Sequence, residues 1–131
     1  MKKRGILNVP ISKTIAELGH TDKLVICDAG LPIPQDANRI DLALKAGTPN
    51  FINVLKPILD EMVVEKAILA EEIKQVSPEL FEEIKEALGD IAIEFSTHEE
   101  FKKLSQQSKG IVRTGEITSY ANIILVSGVD F

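Results

Sequence analysis

The sequence predicts an α/β fold, a single domain spanning residues 1–131 with a largely parallel central sheet flanked by helices. Three observations predict it. Short apolar runs of strand length alternate with stretches whose apolar residues recur every three to four positions, the pattern of parallel-sheet proteins. The runs are closed by Gly, Pro or Asp at turn-like spacing. At 131 residues the chain suits one domain, since a domain of about 150 residues buries roughly 68–70% of its unfolded surface. No internal repeat, low-complexity tract or linker divides it. With five Phe, one Tyr and no Trp, the core must be built from Ile, Leu, Val and Ala.

The first helix is expected over Pro10–Leu18. Asn8 or Ser12 caps it, Pro10 suits its first turn and Gly19 suits its exit. Ile11, Ile15 and Leu18 give it an apolar face. Lys23–Cys27 is a short strand, ended by Asp28-Ala29-Gly30-Leu31-Pro32-Ile33-Pro34, where two prolines stop the ladder. Ile40, Leu42 and Leu44 alternate with polar or small residues and predict a strand over Arg39–Leu44. Thr48-Pro49 reads as a cap and first-turn proline for a helix from Asn50 to Met62, with Pro57 bending or shortening it.

Val64–Ile73 holds the next strand, with Ala67–Ala70 as its buried part. Ser77-Pro78 starts a helix that Gly89 ends. Ile91–Phe95 alternates strictly and reads as a strand. Thr97, with Glu100 three residues on, forms a capping box that opens another helix. Ile111–Thr114 and Ile123–Val126 complete the sheet, joined by Gly115–Asn122.

Several functions are excluded. A formal net charge of −5 with scattered basic residues argues against nucleic acid. Asn8, Pro10, Ser12 and Lys13 interrupt the apolar segment that a signal peptide beginning Met1-Lys2-Lys3-Arg4 would need. No stretch approaches the ~18 apolar residues of a membrane span, so no membrane partner and a cytoplasmic location are expected. The sequence contains no G-x-G-x-x-G, P-loop or G-x-S-x-G motif, so dinucleotide, nucleotide and serine-hydrolase chemistry lack support. Cys27 is the only cysteine and the two histidines are far apart, so neither a disulfide nor zinc spacing exists. No metal and no cofactor is expected. Between Val25-Ile26 and the turn, Cys27 reads as a small buried hydrophobe.

The polar residues left at strand ends are His20, Asp28, His98, Tyr120 and Asn122. Each alone has a bland use. Asp28 suits a turn, His20 a helix C-terminus, His98 a solvated first turn and Tyr120 the core. Together, carboxylate, imidazole, amide and phenol form a set suited to the hydroxyls and C–H face of a sugar. Imidazole, with an ordinary pKa near ~6.5, gives and takes protons at neutral pH. Proton transfer on a neutral ligand is the chemistry these residues suit.

The chain resembles the D-ribose pyranases, small sugar mutarotases, over essentially its whole length. The resemblance is carried by Gly5-Ile6-Leu7-Asn8, Leu18-Gly19-His20-Thr21-Asp22, Asp28-Ala29-Gly30-Leu31-Pro32, Ser96-Thr97-His98-Glu99, Ile111-Val112-Arg113-Thr114-Gly115-Glu116 and Tyr120-Ala121-Asn122. It implies exchange of β-D-ribopyranose with β-D-ribofuranose. It also implies His20 as the proton donor, with Asp28, His98, Tyr120, Ala121 and Asn122 binding D-ribose. It further implies a homodecamer of two stacked pentameric rings, with the Tyr120–Asn122 segment reaching a neighbouring subunit's pocket. A fucose-type hexose mutarotase and a non-catalytic ribose-binding protein are the alternatives. Ser119 stands where many members have proline, which predicts a loop less fixed before binding.

Overall fold

In the computed structural model, which describes residues Met1–Phe131, six strands form one sheet. They are β1 Lys23–Cys27, β2 Arg39–Asp41, β3 Val64–Ala70, β4 Ala92–Ser96, β5 Gly110–Arg113 and β6 Ile123–Ser127, in the order β2-β5-β1-β6-β3-β4. β2, β5 and β1 pair in parallel, as do β3 and β4. β6 runs antiparallel to both β1 and β3 and joins the two parallel halves. The other five strands therefore point one way, and the sheet is largely parallel as predicted.

Five helices flank it: α1 Val9–Glu17, α2 Phe51–Glu61, α3 Ile73–Val76, α4 Pro78–Leu88 and α5 His98–Ser105. At α1 the cap is Asn8, whose Oδ1 accepts from the Ile11 N–H at 2.9 Å. Ser12 instead donates to the Ile6 carbonyl. At α2 the cap is Asn50, which accepts from the Asn53 N–H at 2.8 Å, and not Thr48. The Thr48-Pro49 peptide is cis and lies in the turn before the helix, where the Thr48 carbonyl accepts from Leu44 and Lys45. Pro57 stays inside α2.

Two strand expectations are corrected. The strand predicted to reach Leu44 ends at Asp41, because Asp41 Oδ1 accepts from the Ala43 N–H and turns the chain, leaving Leu44 exposed. The strand predicted to extend towards Ile73 ends at Ala70, and Ile73 opens α3 as a fully buried residue. A four-residue helix is too short to show a 3.6-residue period, so its sequence carries no periodic signal.

The core follows from strand alternation. Leu24, Ile26, Leu69, Ile123 and Leu125 face α1 to α4, where they meet Ile11, Phe51, Leu55, Ile58 and Ile84. Val25, Cys27, Ile68, Ile111 and Ile124 face the other way and are covered by Phe101 of α5 and by Leu31. The carboxyl ends of five strands and the amino end of β6 share one edge of the sheet. The turn Gly19–Asp22 before β1, the start of β3 and the end of β6 lie at the opposite edge.

Candidate active site

The carboxyl edge of the sheet holds a cleft of about 370 Å³ lined by Asp28, Gly30, Leu31, Pro32, Val76, His98, Ser119, Tyr120 and Asn122. Small-molecule sites start at about 300 Å³. Strand ends meet there because β1 and β6 are neighbours and β4 lies two strands beyond β6, past β3. Asp28 and Asn122 form a reciprocal pair: the Asp28 N–H donates to Asn122 Oδ1 at 2.9 Å, and Asn122 Nδ2 donates to Asp28 Oδ2 at 3.1 Å. The first bond fixes which way the amide points. Asp28 Oδ1 accepts from the Gly30 N–H at 2.9 Å, so the carboxylate also closes its own turn. Asn122 is 1% exposed, whereas Asp28 lies partly open to the cleft.

His98 is the first residue of α5. Thr97 Oγ1 accepts from the Glu100 N–H, giving one half of the predicted capping box. The carboxylate that serves the His98 N–H comes from Glu72, through Oε1 at 3.1 Å and Oε2 at 2.9 Å. With its backbone tied, His98 presents its ring to Tyr120, edge to face at 5.1 Å between centroids and 81°. His98 Nδ1 is buried with no partner in the chain, and so is Ser96 Oγ. Buried polar atoms are nearly always paired; of these two residues, His98 lines the cleft and Ser96 does not.

Tyr120 takes a left-handed backbone conformation, φ 62°, which is uncommon for a residue with a side chain and is a form of strain found at functional sites. In the loop before it, Ser77 Oγ donates to the Ser119 carbonyl at 2.7 Å. Ala121 is fully buried and supplies backbone between the two polar side chains.

Glu72, Thr114 and Glu116 support the site, and sequence reasoning assigned none of them a role. Thr114 Oγ1 and its N–H both donate to the Cys27 carbonyl, at 2.8 and 3.0 Å, and the Glu116 carbonyl accepts from the Ala29 N–H. Arg113 Nε donates to the Ala29 carbonyl, and its Nη1 grips both oxygens of Asp41 at 3.1 Å. A Cβ on Gly115 would strike the Thr48 carbonyl oxygen, so only glycine allows the two loops to meet. The motif Thr114-Gly115-Glu116 is thus a clamp beneath the Asp28 turn.

Glu116 also links the clamp to α2. Its Oε1 accepts from the Phe51 N–H at 3.0 Å, and Oε2 accepts from Ile117, Thr118 and the Thr118 hydroxyl. Partial burial alone would raise its pKa, but the bonds from Phe51 and Thr118 outweigh burial and hold the carboxyl below the ordinary range. Its contribution to stability is therefore present above the unfolded value of ~4.3 and is lost as pH falls through the lower folded value. Glu116→Gln should lower stability at pH 7 by about 1 kcal/mol, the usual worth of a served helix N-terminus. It should also flatten the loss between pH 5 and 3. Thermal unfolding midpoints across that range check both.

His20 lies elsewhere. It stands at the opposite edge, separated from Asp28 by the five residues of β1, a span of about 17 Å at ~3.3 Å per residue. Its ring does not cap α1. Instead Nε2 meets Glu65 Oε2 at 2.9 Å. Asp22 shapes the turn, accepting from the Gly19 N–H at 2.8 Å. Within the chain, Asn122 of the Tyr120–Asn122 segment bonds Asp28. Cys27 is inert as expected: burial, with the Asp28 charge second, pushes its thiol up to about 12. A larger cleft of about 520 Å³ lies beside Val76 and Ser77. Its carboxylates, Glu79, Glu83 and Glu116, stand there without an imidazole, so it lacks the acid–base set of the smaller one.

Comparison with known proteins agrees with this fold. The model of the RbsD / FucU transport protein family matches residues 1–130. The D-ribose pyranase of Geobacillus thermodenitrificans is 54% identical over 131 residues, spanning 100% of this chain and 99% of its own. That of Clostridium perfringens is 56% identical over 131 residues, spanning 100% of both. Among solved structures, Bacillus subtilis RbsD complexed with D-ribose superposes with a TM-score of 0.96 at 49% identity over 100% of both chains. The fucose mutarotase of Streptococcus pneumoniae in complex with L-fucose gives 0.77 at 27% identity over 95% of both. The chain belongs to the RbsD / FucU family.

Proposed function

We propose that this chain is a D-ribose pyranase, an isomerase that exchanges β-D-ribopyranose and β-D-ribofuranose without a cofactor. The observation that carries the reading is the cleft of Asp28, His98, Tyr120 and Asn122, in a chain that superposes closely on a ribose-bound relative. Opening the pyranose moves one hydrogen from the anomeric hydroxyl to the ring oxygen as the bond between the anomeric carbon and that oxygen breaks. Closing the furanose forms a bond from the C4 hydroxyl to the same carbon and moves one hydrogen to the carbonyl oxygen. Atoms balance, and protons are all that must be carried. Asp28, with both carboxylate oxygens already anchored, offers its remaining lone pairs to sugar hydroxyls. His98 Nδ1 pairs with another, Tyr120 covers the C–H face, Ala121 spaces the two polar side chains, and Asn122 keeps Asp28 in place.

His20 is the acid at the ring oxygen in this reading, and it reaches the sugar from a second copy. Within one chain it stands across the sheet from the cleft, so a homo-oligomer must bring the amino edge of one sheet to the carboxyl edge of another. The split site supports a homo-oligomer. The decamer of two pentameric rings rests on the family resemblance, as does a cytoplasmic setting. No helix is long and apolar enough to cross a membrane.

Magnetisation-transfer NMR on D-ribose tests the function. Exchange between pyranose and furanose should rise in proportion to protein, and more for ribose than for L-fucose at equal concentration. Faster exchange of L-fucose anomers would favour the hexose mutarotase reading. Saturable ribose binding without faster exchange would favour the carrier.

A further inference from the structure

We propose that Glu65 is a positioning residue for His20, fixing the ring so that its proton is given and taken at Nδ1; the proposal rests on the reading of His20 as the acid. The contact is built into the sheet. The pairing of β3 with β6 runs from Val64 opposite Ser127 to Lys66 opposite Val126, leaving Glu65 as the extra residue of a bulge. Bulges re-aim a side chain and cluster beside active sites. The space is kept by Gly128: a Cβ there would lie 3.3 Å from the Glu65 Cβ and from Val63 Cγ1, and its N–H donates to the Val63 carbonyl at 2.9 Å.

The histidine side is equally constrained. Thr21, directly after His20, holds a left-handed φ of 68°, and its N–H donates to the Ser127 carbonyl at 2.9 Å. Asp22 clasps Gly19. Two separate segments are thus bent, one by strain and one by a bulge, to bring Nε2 and Oε2 to 2.9 Å. Asp22 is next but one to His20 in sequence, but its carboxylate is taken up by the turn, so Glu65 is the carboxylate that meets the ring.

The chemistry follows from donor rules. A carboxylate only accepts, so Nε2 must carry a hydrogen in the neutral ring as well as in the charged one. The lone pair of the neutral ring therefore sits on Nδ1, the nitrogen left open on a half-exposed side chain. The proton delivered to the sugar leaves from Nδ1 and returns there, and Nε2–H stays with Glu65 throughout. A histidine's tautomer and orientation are set in this way by the partner of its other nitrogen.

The test combines kinetics with the ring tautomer in the full-length protein. In Glu65→Gln, kcat for ribose exchange should fall about tenfold with KM within about twofold. That is well below the ~10⁴-fold loss seen when a buried orienting carboxylate is neutralised, because Glu65 and His20 are both half-exposed. Glu65→Asp should recover part of the loss. With two histidines in the chain, ¹⁵N-histidine labelling resolves two rings, and His20→Ala assigns them. Under alkaline conditions wild-type His20 should show the Nε2–H form, and Glu65→Gln a mixture, since an amide both donates and accepts. Unchanged kcat in Glu65→Gln, or an Nδ1–H ring in the wild type, would overturn the proposal. Absence of wild-type exchange would sink the pyranase reading instead, and the tautomer would still decide whether Glu65 sets the ring.

Discussion

His20→Ala should lose ribose ring exchange by about 10²–10⁴-fold, the usual range for removing a general acid–base group, while ribose still binds. The separation is expected because the imidazole stands outside its own chain's cleft, whose other side chains hold the sugar. Its one hydrogen bond is to Glu65, across an exposed turn, so its removal leaves no buried group unpaired. Exposed substitutions of this kind change stability by about 0.5 kcal/mol or less. Magnetisation transfer reads the exchange, and calorimetric titration with D-ribose reads the binding. Retained exchange would remove His20 from its role. Lost binding would mean that the imidazole holds the sugar rather than acting on it.

Asp28→Asn should have the opposite signature, weakening ribose binding and also lowering stability. Both carboxylate oxygens of Asp28 accept, one from the Gly30 N–H and one from Asn122 Nδ2. An amide at this position has one acceptor and one donor. Whichever way it turns, its NH₂ faces a donor, either Gly30 or the buried Asn122. Leaving one such group unmet costs about 1–3 kcal/mol, a ~5–150-fold weakening when it falls on the binding equilibrium. An unchanged dissociation constant by titration would show that the Asp28–Asn122 pair does not shape the sugar site.

Much of this arrangement was legible from local chemistry. Asp28 before Ala29-Gly30 and Thr97-His98 after an alternating strand mark strand ends directly, because turn formers and caps act within four residues of themselves. The strand Lys23–Cys27 and the apolar faces of α1, α2 and α4 follow from periodicity for the same reason. What was not legible depends on strand order. His20 and Asp28 are eight positions apart and read as one stretch, but a strand stands between them, so they occupy opposite edges of the sheet. That β6 brings Asn122 to Asp28 of the same chain depends on its lying next to β1, a pairing across 94 positions that no local pattern encodes.

The supporting carboxylates were invisible for a related reason. Glu72 and Glu116 serve backbone N–H groups 26 and 65 positions away, and an acid that serves a distant N–H looks in sequence like any solvated acid. Leu44 shows the converse error. Its alternation with Ile40 and Leu42 mimics a strand, but Asp41 bends the chain at Ala43 first. Glu65 was hidden as well, because a bulge appears only once the partner strand is known.

In the proposed mechanism, one catalytic site is assembled from the carboxyl edge of one copy and His20 of another. Mixed oligomers of His20→Ala and Asp28→Asn chains, made by co-expression and confirmed by native mass spectrometry, test it most directly at subsaturating ribose. In such mixtures the intact His20 of one chain meets the intact cleft of the other, so exchange should rise well above the sum of the two variants measured alone. Exchange no greater than that sum, in confirmed mixed oligomers, would contradict the claim.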